Sequence, residues 1–448
     1  MRRVAPLTLA LACVLALTGE PGRAQSDDLY FPPAHGREWA VATPAEAGYD
    51  PGGLDALDAL LARTGTRAFV LLRGGRIVHE RYFGDFGPDS LHVWNSAGKG
   101  MTALLVGLAR GEGHLDLDDP TGDYLGAGWS SLSPAREGAI ALRHHLTMTT
   151  GLDDASGAGL CTEPACLRYR ADPGTRWAYH NAPYTLLTEV LEAATGQTPD
   201  ALVRSRLTPV TGIAGRYVEV GYNRIFVSAA RDMARFGLFV LAGGRWGGRA
   251  VVADTAYLRA MTSPSQGLNP AYGYLWYANG TDRHRLPAAP DTLFAGPFLP
   301  SAPPQAYAAI GKDAQVVAVD PARREVWVRM GADPGGGGGL AQAAFPDSVF
   351  AALAAARRGA PTQLRSPGPT PATAAAWPNP SGGFVRLATP AGDRVRRATA
   401  YTAAGARVGE VAVGVGGEAD VRGLAPGSYV LALELAGGGR AVARVARR

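Results

Sequence analysis

The chain has 448 residues, 46% hydrophobic and 19% charged, enough to bury a large core and to form two or three units. Its formal net charge of +5 would fit a polyanion partner if it were clustered on a folded face. The excess lies instead at the two ends, in Arg2, Arg3 and Arg23 and in residues 357–448 with 13 Arg against five acids, and the long middle is net acidic, which leaves nucleic-acid binding without support.

In chain order, Arg2 and Arg3, an apolar run from Leu7 to Leu17 and the segment GRAQ read as an export signal, residues 1–24, cleaved after Ala24. The protein is therefore expected to cross the inner membrane and to end secreted or at the cell surface. The apolar run is too short to leave a stable transmembrane segment. Lipid attachment at Cys13 is a weaker reading, because Ala10 stands where such a box usually has Leu.

DPGGLDALDALLART predicts a helix with Asp50 as its cap, Pro51 in its first turn and Leu54, Leu57, Leu60 and Leu61 on one face. RAFVLLRGGRIVHERYFG predicts a hairpin turning at Gly74 and Gly75. From about residue 100 to 260 the pattern is mostly helical. Cys161 and Cys166, five apart in an exported chain, are expected to close a small disulfide loop. AYAAIGKDAQVVAVDPARREVWVRMG repeats the strand, turn, strand pattern, and FPDSVFAALAAARR then reads as a helix. A sheet drawn from both ends of a domain around a helical insertion is an α/β arrangement, assigned to residues 25–357. Pro, Thr and Gly dominate a linker at 358–376. Short alternating runs in 377–448, such as GSYVLALEL, predict a small β-sandwich. Gly335 to Gly339 reads as a flexible loop, since no helix start and lysine follow it to make a phosphate cradle.

Only two of the 44 basic residues are lysine, Lys99 and Lys312. Met101, Leu104, Leu105 and Leu108 follow a helical period, which places Ser96 at a helix start and Lys99 one turn on, along the same face. Serine needs a base to become a nucleophile, and arginine stays protonated. Lysine serves once burial or a neighbouring cation lowers its pKa. A helix starting at the nucleophile also aims free N–H groups where a carbonyl oxygen would become negative. Taken alone, a serine three residues before a lysine also fits a plain helix cap. In ADPGTRWAYHNAPYTLL, Tyr179 and Asn181 are two apart in an extended run and face one way, ahead of a helix that Asn181 can cap. A core tyrosine followed by a capping asparagine is the bland alternative for that segment. His180, between the two, is expected to point away, and Trp177 and Tyr184 to be packed aromatics, with lining of the pocket as the alternative for each.

The segments SAGK, YHN, LDLDDPTGDYL, LRHHLTMTTGL, PGTRWAYHN and SAARDMARFG together resemble the serine β-lactamase and penicillin-binding-protein superfamily, in particular its class C-like branch of esterases and 6-aminohexanoate-oligomer hydrolases, over about residues 40–357. The resemblance implies a β-lactamase-like antiparallel sheet flanked by helices. It makes Ser96 the acylated nucleophile, Lys99 its base partner, Tyr179 a base or proton shuttle and Asn181 a substrate-positioning residue. Class A elements are absent: there is no SDN and no deacylating glutamate loop. The third motif departs from the family's KTG or HxG and reads AYAAIGKDAQVV. Gly311 keeps a small residue at the strand edge, Lys312 is the candidate cation with a plain surface lysine as the alternative, and the strand near Gln315, with Ser96 N–H, is the expected source of oxyanion donors.

WPNPSGG, AYTAAGARV and GLAPGSYVLALEL are similar to the C-terminal sorting domain of type IX secretion substrates, which would make that machinery a partner; a carbohydrate- or surface-binding β-sandwich is the rival. The expected activity is hydrolysis of small-molecule esters or amides through an acyl-enzyme on Ser96, with no metal and no cofactor. The alternatives are a class C-like β-lactamase, a D-alanyl-D-alanine peptidase, or a catalytically silent binding or sensor domain of the same fold.

Overall fold

The computed structural model describes residues 29–155, 160–335, 343–357, 372–377, 382–389, 393–402, 407–414, 416–436 and 440–447. The export signal, the linker up to 371, the PNP turn at 378–380 and most of the glycine run after Gly335 lie outside the described residues.

Helix α1 (Pro51–Arg63) begins as its sequence predicts, with the Asp50 side chain accepting a bond from Gly52 N and with Leu54, Leu57 and Leu61 buried. Strands β1 (Thr66–Arg73) and β2 (Arg76–Tyr82) turn at Gly74 and Gly75, whose φ of 55° and 82° suit the left-handed residues of a two-residue hairpin. The insertion follows. It carries α2 (Lys99–Gly111), α3 (Asn181–Thr195), a hairpin of β3 (Arg216–Val220) and β4 (Asn223–Ser228), and α4 (Ala230–Leu241). The hairpin differs from the helical expectation. RYVEVGYNRIFVS alternates around a Gly221 at φ 62°, a local pattern masked by the helical periods on either side. Cys161 and Cys166 are joined in a disulfide, with Cα atoms 5.9 Å apart.

The chain then returns to the first hairpin through β5 (Tyr277–Ala278), β6 (Tyr307–Gly311), β7 (Gln315–Asp320) and β8 (Glu325–Gly331), and closes with α5 (Ala344–Ala356). The sheet order is β2-β1-β8-β7-β6-β5, every neighbour antiparallel. Strands from both ends of the domain thus meet at the β1–β8 pair, where Val70 faces Val328.

All of β6, β7 and β8 is buried, so these strands read as apolar runs rather than alternating ones. Successive side chains nonetheless serve opposite layers. A Cβ on Gly237 of α4 would lie 2.5 Å from Val326, while Trp327 packs its ring 5.3 Å from Phe350 of α5. Helix α1 lies beside α5, where a Cβ on Gly53 would meet the Ala356 backbone at 2.5 Å. The result is a mixed α/β domain with an antiparallel sheet between helices.

The C-terminal residues form two sheets, one of five strands and one of three, that share a core including Val385, Ala419, Val421, Leu431 and Ala443. Strands Ala372–Thr373 and Ala375–Trp377 lie in and at the end of the stretch whose composition reads as linker. Two- and three-residue alanine-rich strands are too short to show alternation.

Candidate active site

His92 and Val93 pair with Ser228 and Val227 of β4, and Trp94 continues that pairing through N–H to Phe226 O at 2.9 Å and Nε1–H to Ser228 Oγ at 2.9 Å. This fixes the chain just before a 3-10 turn, Asn95–Gly98, that runs directly into α2 at Lys99. Ser96 therefore sits in a tighter turn than the α-helical start its sequence predicts, yet the i, i+3 relation survives. Lys99 Nζ lies 2.7 Å from Ser96 Oγ.

Lys99 is only 1% exposed. Burial alone holds its amine well below the usual lysine range, with no carboxylate or cation contributing. A neutral amine accepts a hydrogen bond, so the serine hydroxyl can donate to it. Two aromatic faces close over the nitrogen, Tyr184 with its centroid at 4.0 Å and Tyr179 at 4.9 Å.

Tyr179 is hydrogen-bonded to Ser96, and burial pushes its phenol upward, so it stays protonated at neutral pH. Its backbone is set by neighbours that turn inward: Trp177 is buried, Ala178 N–H donates to Met148 O at 2.9 Å and His180 N–H to Met148 Sδ at 3.4 Å. Trp177 packs on Tyr272 at 5.5 Å, and Tyr272 also meets Tyr179 at 6.4 Å. Asn181 reaches the same site but does not cap α3. His180 occupies the N-cap position and Asn181 is the first helical residue, with its side chain hydrogen-bonded to the Tyr222 hydroxyl at the β3–β4 turn. Tyr222 is a site residue that no sequence motif marks; its only signal is its place at a hairpin tip. Tyr184 is a packed aromatic, buried in the core, and at the same time presents its ring face to Lys99.

Gly311 ends β6 against the nucleophile turn. A Cβ there would stand 2.4 Å from Trp94 O and 2.9 Å from the nitrogens of both Ser96 and Ala97. Its φ of −114° is open to any residue, so the glycine is required by close approach rather than by conformation. Gly311→Ala is accordingly expected to cost about 1–3 kcal/mol of stability and to lower kcat/KM by about a hundredfold, read by denaturant titration and ester hydrolysis of the same preparation.

Lys312 is exposed, and it meets the nucleophile turn through its carbonyl, which accepts from Asn95 Nδ2 at 2.9 Å. Gln315 is buried and its side chain turns away from the nucleophile: Nε2 donates to Gly331 O at 2.7 Å and Oε1 accepts from Gly331 N at 3.0 Å. Its side chain is thus structural, fastening the end of β7 to β8. Between the two lie Asp313 and Ala314 at φ 60° and 52°, and Asn95 at φ 48° precedes Ser96, so three non-glycine residues in the left-handed region gather around the nucleophile. Arg329, another residue that the sequence pattern does not mark, clamps this turn. Its guanidinium donates to Asp313 O, to Ala314 O at 3.2 Å, to Thr64 O at 2.8 Å, to Ala332 O at 2.9 Å and to Thr66 Oγ1 at 3.1 Å.

Residues 55–345 match the family model described as Beta-lactamase, more than half of the chain, and the chain belongs to that family of serine hydrolases. An uncharacterized protein of Alkalihalophilus pseudofirmus is 25% identical over 259 residues, 50% of this chain and 73% of that one. The 6-aminohexanoate-dimer hydrolase of Paenarthrobacter ureafaciens is 35% identical over 69 residues, 15% of this chain and 18% of its own length. Among solved structures, a candidate 6-aminohexanoate-dimer hydrolase from Bacillus anthracis superposes with a TM-score of 0.54 at 17% identity, covering 74% of this chain and 87% of that one. An octameric penicillin-binding protein homologue from Pyrococcus abyssi gives 0.53 at 14% identity, over 89% and 96%. At these identities the structural likeness speaks for the fold.

Proposed function

We propose that the protein is an exported serine hydrolase that cleaves small-molecule esters or amides through an acyl-enzyme on Ser96. The observation that carries this reading is the buried Lys99 amine, 2.7 Å from Ser96 Oγ and free of any carboxylate partner that would keep it charged. In acylation the Ser96 proton moves to Lys99 Nζ as Oγ bonds the carbonyl carbon, and the carbonyl π pair moves to its oxygen. Ser96 N–H, at the approach point of Gly311, and an N–H of the strand near Gln315 would hold that oxyanion. As the intermediate collapses, Tyr179 gives its proton to the departing alcohol or amine and regains one from Lys99. Water then repeats the sequence on the acyl group, with Asn181 and Tyr222 placed to position the substrate.

Esters and linear amides are preferred over β-lactams because the third motif reads GKDAQ in place of KTG, and no described residue anchors the exposed Lys312 ammonium as a fixed site for a ring carboxylate. The β-lactamase and D-alanyl-D-alanine peptidase readings would be favoured by faster turnover of nitrocefin than of p-nitrophenyl butyrate. Intact mass after treatment with a fluorophosphonate is expected to show one adduct that disappears in Ser96→Ala. An unmodified native protein would support the silent-domain reading. For the C-terminal β-strands we propose a secretion-sorting role, supported by the order of the PNP and GSYV segments in the sequence; secreted protein should lack this tail, and material still ending at Arg448 would count against it.

A further inference from the structure

The proton that Lys99 would take from Ser96 makes a cation that, among the described residues, has no carboxylate beside it and so no lasting counter-ion once the transient oxyanion collapses. The nucleophile turn presents Ser96, the segment before α3 presents Tyr179, α3 presents Tyr184, and the β3–β4 hairpin presents Tyr222 and Tyr217, the last bonded to Thr102 of α2 at 3.1 Å. None of these is a carboxylate. A buried ammonium without compensation is expensive, and the uphill step would slow acylation. What faces the nitrogen instead is the π surface of Tyr184, 4.0 Å from its centroid.

We propose that Tyr184 is a positioning residue that acts through Lys99, its ring face serving as the counter-charge for the ammonium formed when Ser96 is deprotonated. The negative face of an aromatic ring attracts a cation most strongly where water is excluded, as here. The ring is also held in place. Its hydroxyl donates to Asn223 Oδ1 and to Arg224 O at 3.2 Å, both in β4, so the ring is tied from its far end while the face stays turned to the amine. Compared with a carboxylate, a ring stabilises the charged lysine without fixing it in that state, which leaves the amine free to be neutral before each turnover. This inference rests on the hydrolase reading for its purpose but not for its measurement.

Because the chain has only two lysines, 13Cε-lysine labelling of the full chain gives two signals, and the one missing from Lys312→Arg identifies Lys312. The midpoint of the Lys99 signal is then followed in three variants. Tyr184→Leu removes the face and is expected to lower the midpoint by about one pH unit, with fluorophosphonate labelling about tenfold slower. Tyr184→Phe removes the anchor but keeps the face, and its midpoint should stay within about 0.3 of wild type. Replacement of Tyr184 by pentafluorophenylalanine keeps the packing while inverting the ring quadrupole, and should lower the midpoint even if the leucine variant does not fold. An unmoved or raised midpoint on losing the face, or an equal shift in Tyr184→Phe, would overturn the proposal and leave Tyr184 as an anchor for β4. A wild-type protein that takes no fluorophosphonate adduct would remove the hydrolase reading, and the lysine titration would still decide the role of Tyr184.

Discussion

Lys99→Arg is expected to lower kcat by about a thousandfold or more, although a basic side chain on a long stem is retained. The side chain is almost wholly buried between Ser96, Tyr179 and Tyr184, and its value there lies in being neutral. A guanidinium stays protonated and cannot receive the serine hydrogen. Lys99→Met should be as inactive but more stable, by about 1–2 kcal/mol at pH 7, because activity and stability are traded at this position. The folded-state pKa of Lys99 lies below its unfolded value near 10.5, so between the two the unfolded chain binds a proton that the folded chain refuses. Stability contributed at this site therefore rises with pH through that window and levels off above the unfolded value. Urea titrations at several pH values should show that slope in wild type and its loss in Lys99→Met. Residual turnover within about tenfold of wild type in Lys99→Arg would contradict the base role.

That lysine was legible because its residue type is anomalous in an arginine-rich chain and because serine and lysine lie one turn apart, a relation that a helix or a 3-10 turn preserves. The first hairpin was legible because Gly74 and Gly75 meet a local conformational demand that the neighbouring strands advertise. Tyr222 and Tyr184 enter the site from the β3–β4 hairpin and α3, and only the tertiary packing brings the Tyr222 hydroxyl to Asn181 and the Tyr184 ring face to Lys99. What sequence does not reveal at Gln315 is the work of its side chain, whose amide bonds both backbone groups of Gly331 and the carbonyls of Lys312 and Asp313. The Ala372–Trp377 strands were hidden by composition, since proline and threonine on either side overwhelm a five-residue signal.

Arg329 carries the second large expectation. It interrupts the apolar strand VWVRMG, has no carboxylate bonded to it among the described residues, and is completely buried, which lowers its guanidinium to about 10 against the opposing pull of Asp313 and Asp333 and leaves it charged at neutral pH. Its bonds go to carbonyls on the Asp313–Ala314 turn, on Thr64 and on Ala332, so it ties the strand end beside the nucleophile to the start of β1. Arg329→Met is expected to cost about 3–5 kcal/mol, since it leaves several buried carbonyls without donors. Folded molecules of that variant, counted by fluorophosphonate adduct, should also turn over more slowly, because two left-handed non-glycine residues cost about 1 kcal/mol each and relax once unclamped. Arg329→Lys should recover little, as one ammonium cannot span carbonyls on both sides of the turn. Ala314→Gly with Arg329 in place should add about 1 kcal/mol by removing the strain, and should add little in the Arg329→Met background, where the turn has already relaxed. If turnover per folded site were unchanged in Arg329→Met, the turn would be held by Gln315 and the β6–β7 pairing alone, and the arginine would matter only for the sheet.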